Sequence, residues 1–318
     1  MSNFNVQDSP HIAVVVVTYN SAYDLERCVA SLVRLQYGGN LSLLVVDNGS
    51  RDVPPSTLRH LIQRVRGKLI LNRANTGFAA ANNIGIHNAL LRGAEYIWLL
   101  NADTEVDQKS LTALLAASRA RGPQAALGSK ILYPEQGGRT TIWSAGGQID
   151  FEAQEVAMYG SGEEDHGQHD EPRACDYLPG CSLFFHRSLV AEAGLMPEEY
   201  FLYFEETEWC TRMRGAGLAL WYVPESIVIH HFFDRKLQQP LGVYYYNRNG
   251  RRFWFTHGSR RQKLRLALTT LARDLLRVQR ALSHAPTDEL RRVFKAQRLA
   301  YIHFLLGRTG KVPAEALR

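Results

Sequence analysis

Three clusters in this sequence bring together residue types that do chemistry. Asn101-Ala102-Asp103 ends the apolar run YIWLL. A hard divalent cation such as Mg2+ or Mn2+ takes carboxylate oxygens and commonly keeps substrate phosphates as further ligands. One Asp at a strand tip facing a nucleotide suits that role; the same Asp serves equally well to start a turn. Asp47-Asn48-Gly49-Ser50 follows a second apolar run. Its short polar side chains and its glycine let the backbone come close to a nucleotide. The Asp47 carboxylate can accept from a pyrimidine N–H or a ribose hydroxyl, although DNGS by itself is also an ordinary turn. Tyr203-Phe204-Glu205-Glu206-Thr207-Glu208-Trp209 sets three acids within four positions between aromatic residues. Like charge and partial burial both raise carboxylate pKa values, which suits a general base. A solvated helix start, where acids are favoured, is the other reading.

The elements that must position these clusters alternate along the first part of the chain. IAVVVV (12–17) is a short apolar run of β-branched residues, the pattern of a strand buried on both faces of a parallel sheet, and LSLLVV, KLILN and EYIWLLN follow it as further apolar strand patterns. Between them lie helical patterns. Leu25, Cys28, Val29, Leu32 and Val33 fall on one helix face behind a capping Ser21, and another helix is expected over about 108–121. Strand–helix alternation predicts an α/β fold with a doubly wound, mostly parallel sheet, whose ligands sit beyond the carboxyl ends of the strands. Thr18-Tyr19-Asn20, Asp47 to Ser50, Asn75-Thr76-Gly77 and Asn101 to Asp103 all fall there. The polar, acidic segment 160–173 reads as a mobile loop. From 260 onward the chain reads as helices, with Leu264, Leu268, Leu271, Leu275, Val278 and Leu282 in a heptad-like stripe and a second helix over about 288–306.

Composition removes several function classes. The polar start predicts no signal peptide, and no run of about 18 apolar residues predicts a membrane span. The four cysteines, Cys28, Cys175, Cys181 and Cys210, form no CxxC pair and read as buried reduced thiols of a cytoplasmic protein. The net charge of +6 is uneven: residues 251–318 carry 16 Lys/Arg against 4 Asp/Glu, and the rest 21 against 27. A basic tail attracts phosphate-rich partners and anionic membranes. No nucleic-acid recognition motif accompanies it, so no nucleic-acid partner is expected. The first strand leads into TYNSA, with neither GxGxxG nor a basic glycine-rich triphosphate loop, which argues against dinucleotide dehydrogenases and nucleotidyltransferases.

The segments VVVVTYNSAYDLERCVASL, LLVVDNGSRD, NRANTGFAAANNIGI, IWLLNADTEV, YLPGCSLFFHRSLVAEAGLMPEEYFLYFEETEWCTRMRGAG and VPESIVIHH occur in this order. Over about 12–250 the chain resembles family 2 glycosyltransferases of the GT-A fold, in their rhamnosyltransferase-like branch. The resemblance implies that Thr18, Tyr19, Asn20, Asp47 and Asn48 line a base and ribose pocket, with Asn75, Gly77 and Asn82 beside the donor. It places Asn101-Ala102-Asp103 at the family's DxD motif, with Asp103 on the metal. Glu205-Glu206 takes the place of the family's ED pair, whose second member is the base. Glu206 is therefore the expected base, with Glu205 and Glu208 as rivals. His230 matches a histidine of the metal or diphosphate site, with His231 as rival. Gly180 and Cys181 would stand near the donor sugar or acceptor. Arg248, in a tyrosine-rich segment ending in Arg-Asn, would hold phosphate charge or make a structural ion pair.

The implied reaction is inverting transfer of a sugar from a nucleotide-diphosphate donor, dTDP-rhamnose first and UDP-hexoses next. The implied acceptor is a hydroxyl of a cell-surface or lipid-linked glycan. A catalytically degenerate sugar-nucleotide-binding scaffold is the alternative from another class. The expected organisation is a GT-A domain over 1–250 and a basic helical C-terminal extension over 251–318. That extension would pack in a homo-oligomer or touch the inner face of the membrane.

Overall fold

The computed structural model describes residues 9–231, 239–269 and 288–317. The described residues fall into two compact units. The first lies within Met1–Gln148, Val156–Pro197 and Glu206–Phe232, and the second within Ile149–Glu155, Glu198–Glu205 and Phe233–Arg318. This division differs from a cut at 250, because one helix, Pro240–His257, runs through that point.

In the first unit, β1 (Ile12–Thr18), β2 (Leu41–Asp47), β3 (Lys68–Leu71) and β4 (Tyr96–Asn101) are parallel, in the order β4-β1-β2-β3. Strand β1 is almost wholly buried, as its unbroken apolar run requires. Helices α1 (Ala22–Leu32), α2 (Pro55–Gln63) and α3 (Phe78–Leu91) form the connections. Helix α3 approaches β1 so closely that a Cβ on Gly85 would lie 2.2 Å from Val15 Cγ1, so only glycine fits there. Ser21 does stand at the start of α1. Its hydroxyl, however, bonds Thr18 Oγ1 at 3.0 Å and caps no helix amide, and Val33 falls outside the buried helix face.

The chain continues through β5 (Thr104–Val106), α4 (Ser110–Arg121), β6 (Ala125–Leu132), β7 (Ile142–Ser144) and the hairpin strands β8 (Gly147–Asp150) and β9 (Glu155–Met158). Then come β10 (Arg173–Ala174), β11 (Ser182–His186), α5 (Ser188–Ala193), α6 (Glu205–Gly215) and β12 (Ala219–His230). Strand β11 inserts antiparallel between β4 and β6, and β12 runs parallel to β6. Buried hydroxyls stitch these strands together: Ser129 Oγ lies 2.7 Å from both Ser182 Oγ and Ser226 Oγ, and Trp98 Nε1 donates to Ser182 Oγ.

Segment 160–173 is tied down rather than loose. Lys130, buried on β6, reaches Asp165 at 2.9 Å and Asp170 at 2.5 Å, and Tyr222 Oη donates to the His169 carbonyl. In the second unit, α7 (Pro240–His257) and α8 (Asp288–Leu305) pack together around Tyr244, Tyr245, Ala296 and Ala300. Residues 260–269 are helical, and Leu264 and Leu268 are exposed on them. The remainder of the expected stripe, Leu271 to Leu282, lies outside the described residues. All four cysteines are buried and free.

Candidate active site

The carboxyl ends of β1, β2 and β4 meet on one edge of the first unit, because their register aligns Thr18 with Asp47 and Val17 with Asn101. Thr18, Asp47 and Asn48 are buried there, while Tyr19 and Asn20 are exposed. Asp47 Oδ1 accepts from the Ser50 amide at 3.0 Å, which closes the turn. Asn20, at φ 51°, reaches the same turn: its amide donates to Ser50 Oγ and its Oδ1 accepts from the Arg51 amide. Gly49 sits at φ +80°, and a Cβ there would come within 2.9 Å of the Ala74 backbone. Asn48 spends its side chain on the protein. Its Nδ2 donates to Asn75 Oδ1 and the Gly77 carbonyl, and its Oδ1 accepts from Asn72 Nδ2 and from the Thr76 amide and hydroxyl. It therefore pins the 72–77 loop, and Asn75 Oδ1 accepts the Gly77 amide at the mouth of α3. Asn82, buried inside α3, donates back to the Phe78 carbonyl.

The acidic centre is built by β4, β5 and β12. A register shift between Val223 and Ile227 in β12 lets Ile229 and His230 face Glu105 and Thr104 of β5. His230, 3 % exposed, then lies with Nε2 3.2 Å from Asp103 Oδ1, its ring perpendicular to that of Trp143. His231 lies 2.7 Å from Glu105 Oε1, a different carboxylate, so the two histidines are sorted by the alternation of the strand. Ala102 is buried, and Asn101 Oδ1 is a buried acceptor with no hydrogen-bond partner among the described residues. Asp103 and His230 offer one oxygen and one nitrogen, a donor pair that could contribute to holding a divalent cation. No group of three His, Cys, Asp or Glu side chains among the described residues is placed to hold a metal ion. A cation bound there would draw further ligands from phosphate and water.

Glu206, on the first turn of α6, is partly accessible. Tyr177 Oη donates to its Oε1 at 3.1 Å, while Oε2 is buried with no partner among the described residues. Desolvation holds its pKa above the ordinary carboxylate value, against the opposing bonds from backbone and Tyr177. A Cβ on Gly180 would lie 3.4 Å from Glu206 Cβ, so the Gly180 backbone passes directly beside the Glu206 side chain. Cys181 joins the two acidic positions. Its carbonyl accepts the Asn101 amide, and its thiol pKa is pushed well up by burial first and then by the charges of Asp103 and Glu206. Glu205 and Glu208 are both buried, Glu205 within the second unit. Tyr177 lies inside the segment YLPGC without any pattern to single it out; only the fold shows its bond to Glu206.

The family model described as Glycosyl transferase family 2 matches residues 13–190. The chain belongs to this family. It is 30% identical over 240 residues to an N-acetylglucosaminyl-diphospho-decaprenol L-rhamnosyltransferase of Mycobacterium tuberculosis, covering 69% of this chain and 76% of that protein. It is 26% identical over 259 residues to a dTDP-rhamnosyl transferase of Shigella flexneri, covering 75% and 78%. A mannosyltransferase from Pyrobaculum calidifontis, solved with GDP-Man and Mn2+, superposes with a TM-score of 0.56 at 16% identity over 95% of this chain and 89% of that one. GalNAc-T7, solved with UDP, GalNAc and Mn2+, gives the same TM-score at 17% identity over 76% and 48%. The fold is that of GT-A glycosyltransferases.

In this glycosyltransferase the approach to α6 is strained, and the strain is held within the second unit. Phe201, Tyr203 and Phe204 have φ of 66°, 64° and 70°, conformations that cost non-glycine residues about 1–3 kcal/mol each. Asn249 Nδ2 donates to the carbonyls of Tyr200, Leu202 and Tyr203 at 2.7–2.9 Å, two hydrogens shared among three acceptors. Arg248 is 2 % exposed. Its Nε donates to Asn249, its Nη1 to Tyr244 Oη and the Gly310 carbonyl, and its Nη2 to the Tyr200 carbonyl. These acceptors are all uncharged protein groups, so Arg248 organises the second unit and makes no ion pair among the described residues.

Proposed function

We propose that this chain transfers L-rhamnose from a dTDP-linked donor to a hydroxyl of a glycan carried on a lipid diphosphate, with inversion at the anomeric carbon. The observation that carries the reading is the pairing of Glu206 with the Asp103 strand end through Gly180 and Cys181. It sets a carboxylate of raised proton affinity beside a site suited to a cation and a diphosphate. Glu206 is the base: its side chain is less buried than those of Glu205 and Glu208, its proton affinity is raised by desolvation, and Tyr177 holds one oxygen while the other has no partner among the described residues. It takes the acceptor proton as the hydroxyl attacks, and Tyr177 holds the carboxylate in place. Asp103 and His230 would hold Mn2+ or Mg2+, and a bound cation supplies neutralisation of the departing diphosphate. Thr18, Tyr19, Asn20, Asp47 and Asn48 shape the base and ribose pocket, with Asn75, Gly77 and Asn82 holding the loop beside it. The rhamnosyl donor and the lipid-linked acceptor follow the names of the two relatives. No helix among the described residues is long and apolar enough to cross a membrane. The basic residues 251–318 support peripheral contact with the inner membrane face, where such an acceptor would be met.

A thermal-shift panel of dTDP, UDP, GDP and their sugars, each with and without Mn2+ or Mg2+, tests the donor site. Ligands that bind the native state alone raise its melting temperature. dTDP-rhamnose with Mn2+ should give the largest rise. A larger rise with UDP- or GDP-sugars would overturn the donor assignment, and no rise with any nucleotide would favour a degenerate scaffold.

A further inference from the structure

The second unit contains a cavity of about 180 Å3 whose lining includes Tyr244, Arg248, His303, Arg308, Thr309 and Lys311. No Asp or Glu among the described residues lines it. Its parts come from three stretches of chain. Helix α7 presents Tyr244 and Arg248 one turn apart, α8 presents His303 near its end, and the following turn supplies Arg308, Thr309 and Lys311. That turn is shaped by Gly307 and Gly310 at φ +65° and +67°, and the Gly310 amide donates to the Glu199 carbonyl.

The hydrogen-bond directions leave this cavity rich in donors. Arg308 Nη1 lies 3.2 Å from His303 Nε2. A guanidinium only donates, so Nε2 accepts and the ring proton sits on Nδ1. That proton is donated to Tyr244 Oη, 2.6 Å away. Tyr244 Oη also receives Arg248 Nη1 at 3.2 Å. The tyrosine oxygen thus accepts twice and its own O–H is left to donate, although the side chain is fully buried. Burial and the neighbouring arginines also hold the His303 pKa below its ordinary value, in keeping with a neutral ring.

Arg248 adds a buried full charge with no carboxylate partner among the described residues. The ring faces of Tyr244 and Tyr245, 5.2 and 5.1 Å away, offset part of it. A buried cation without a counter-charge is costly, and an anion in the cavity would lower that cost. We propose that this cavity binds a phosphate or diphosphate group, with Arg308, Lys311, Thr309 and the Tyr244 hydroxyl as donors and Arg248 as the fixed charge behind them. The chemistry is shared by two sources, the diphosphate of a lipid-linked glycan and free phosphate or pyrophosphate. The site itself is independent of the glycosyl-transfer reading; only the lipid source rests on it.

The test is calorimetric titration of the full chain with inorganic pyrophosphate, at constant ionic strength and without divalent cation. It is repeated in Asp103→Ala, so that the cation-dependent diphosphate position of the first unit does not contribute. Pyrophosphate should bind wild type and Asp103→Ala alike. Arg308→Ala and Lys311→Ala, both changes at exposed positions, should each weaken it at least about tenfold. Arg298→Ala, an equal charge loss outside the cavity, should leave it unchanged. Flotation with phosphatidylcholine vesicles, with and without a polyprenyl diphosphate, separates the sources. Capture that requires the diphosphate lipid and is lost in Arg308→Ala assigns the site to the lipid. Pyrophosphate binding without such capture assigns it to the free ion. No binding of either probe, or equal weakening by Arg298→Ala and Arg308→Ala, would overturn the proposal.

Discussion

Among single residues, catalysis depends most on how the protein sets the proton affinity of Glu206. Desolvation raises it, and the Tyr177 hydroxyl opposes that by donating to the charged form. A base must be deprotonated to act, so the rate should fall as pH drops through this raised pKa. Tyr177→Phe removes a bond that favours the anion, so Glu206 should become more basic. The acid limb of the pH–rate profile for kcat should then move to higher pH. A limb that stays in place would separate Tyr177 from the base. Gly49 gives a second residue-scale prediction. Its positive φ and the nearby Ala74 backbone leave no room for a side chain. Gly49→Ala should therefore cost about 1–3 kcal/mol of stability by denaturant unfolding, and an unchanged midpoint would contradict the strain argument. What made Asp47, Asn101 and Asp103 legible in the sequence is that each ends an apolar run. Tyr177 carries no such mark, because its role depends on a helix that begins 28 residues later.

At the scale of elements, the parallel strands β1 to β4 were legible because each is an apolar run closed by a polar turn. The direction of β11 was not, since SLFFH reads the same whether the strand runs up or down the sheet. Nor was the left-handed path through Phe201, Tyr203 and Phe204, where no glycine announces positive φ. That path exists because the amide of Asn249 answers three carbonyls. Asn249→Ala should lower the melting temperature, with about 1–3 kcal/mol lost in all, because the part-buried Leu202 and Tyr203 carbonyls lose their donor while the Tyr200 carbonyl keeps its bond from Arg248. A melting temperature within error of wild type would show that the loop holds itself. The ordering of 160–173 was likewise hidden, because its anchor Lys130 lies 35 residues before Asp165 and 40 before Asp170. Lys130→Met should expose this segment to limited proteolysis at rates well above wild type. Equal cleavage rates would show that the salt bridges do not fix it.

At the scale of the whole molecule, the chain joins a GT-A glycosyltransferase unit to a second unit built on α7 and α8. A sequence cut at 250 misses how this division is made, since residues 149–155 and 198–205 also join the second unit. Composition could not show this: those short segments belong there through contacts remote in sequence, such as the bond from Asn249 to Tyr200. The charge asymmetry, by contrast, is plain in the sequence. It predicts that the protein binds anionic vesicles at low salt and is released as ionic strength rises; flotation that is absent at low salt would contradict the peripheral contact. Single-turnover transfer from dTDP-rhamnose with Mn2+ to a lipid-linked glycan acceptor, comparing wild type with Glu206→Gln, tests whether this site performs the proposed chemistry. Wild type should transfer the sugar, and Glu206→Gln should bind donor equally well yet transfer about 10²–10⁴-fold more slowly. A Glu206→Gln protein that turns over at the wild-type rate would contradict the assignment of the base and, with it, the reading of the site.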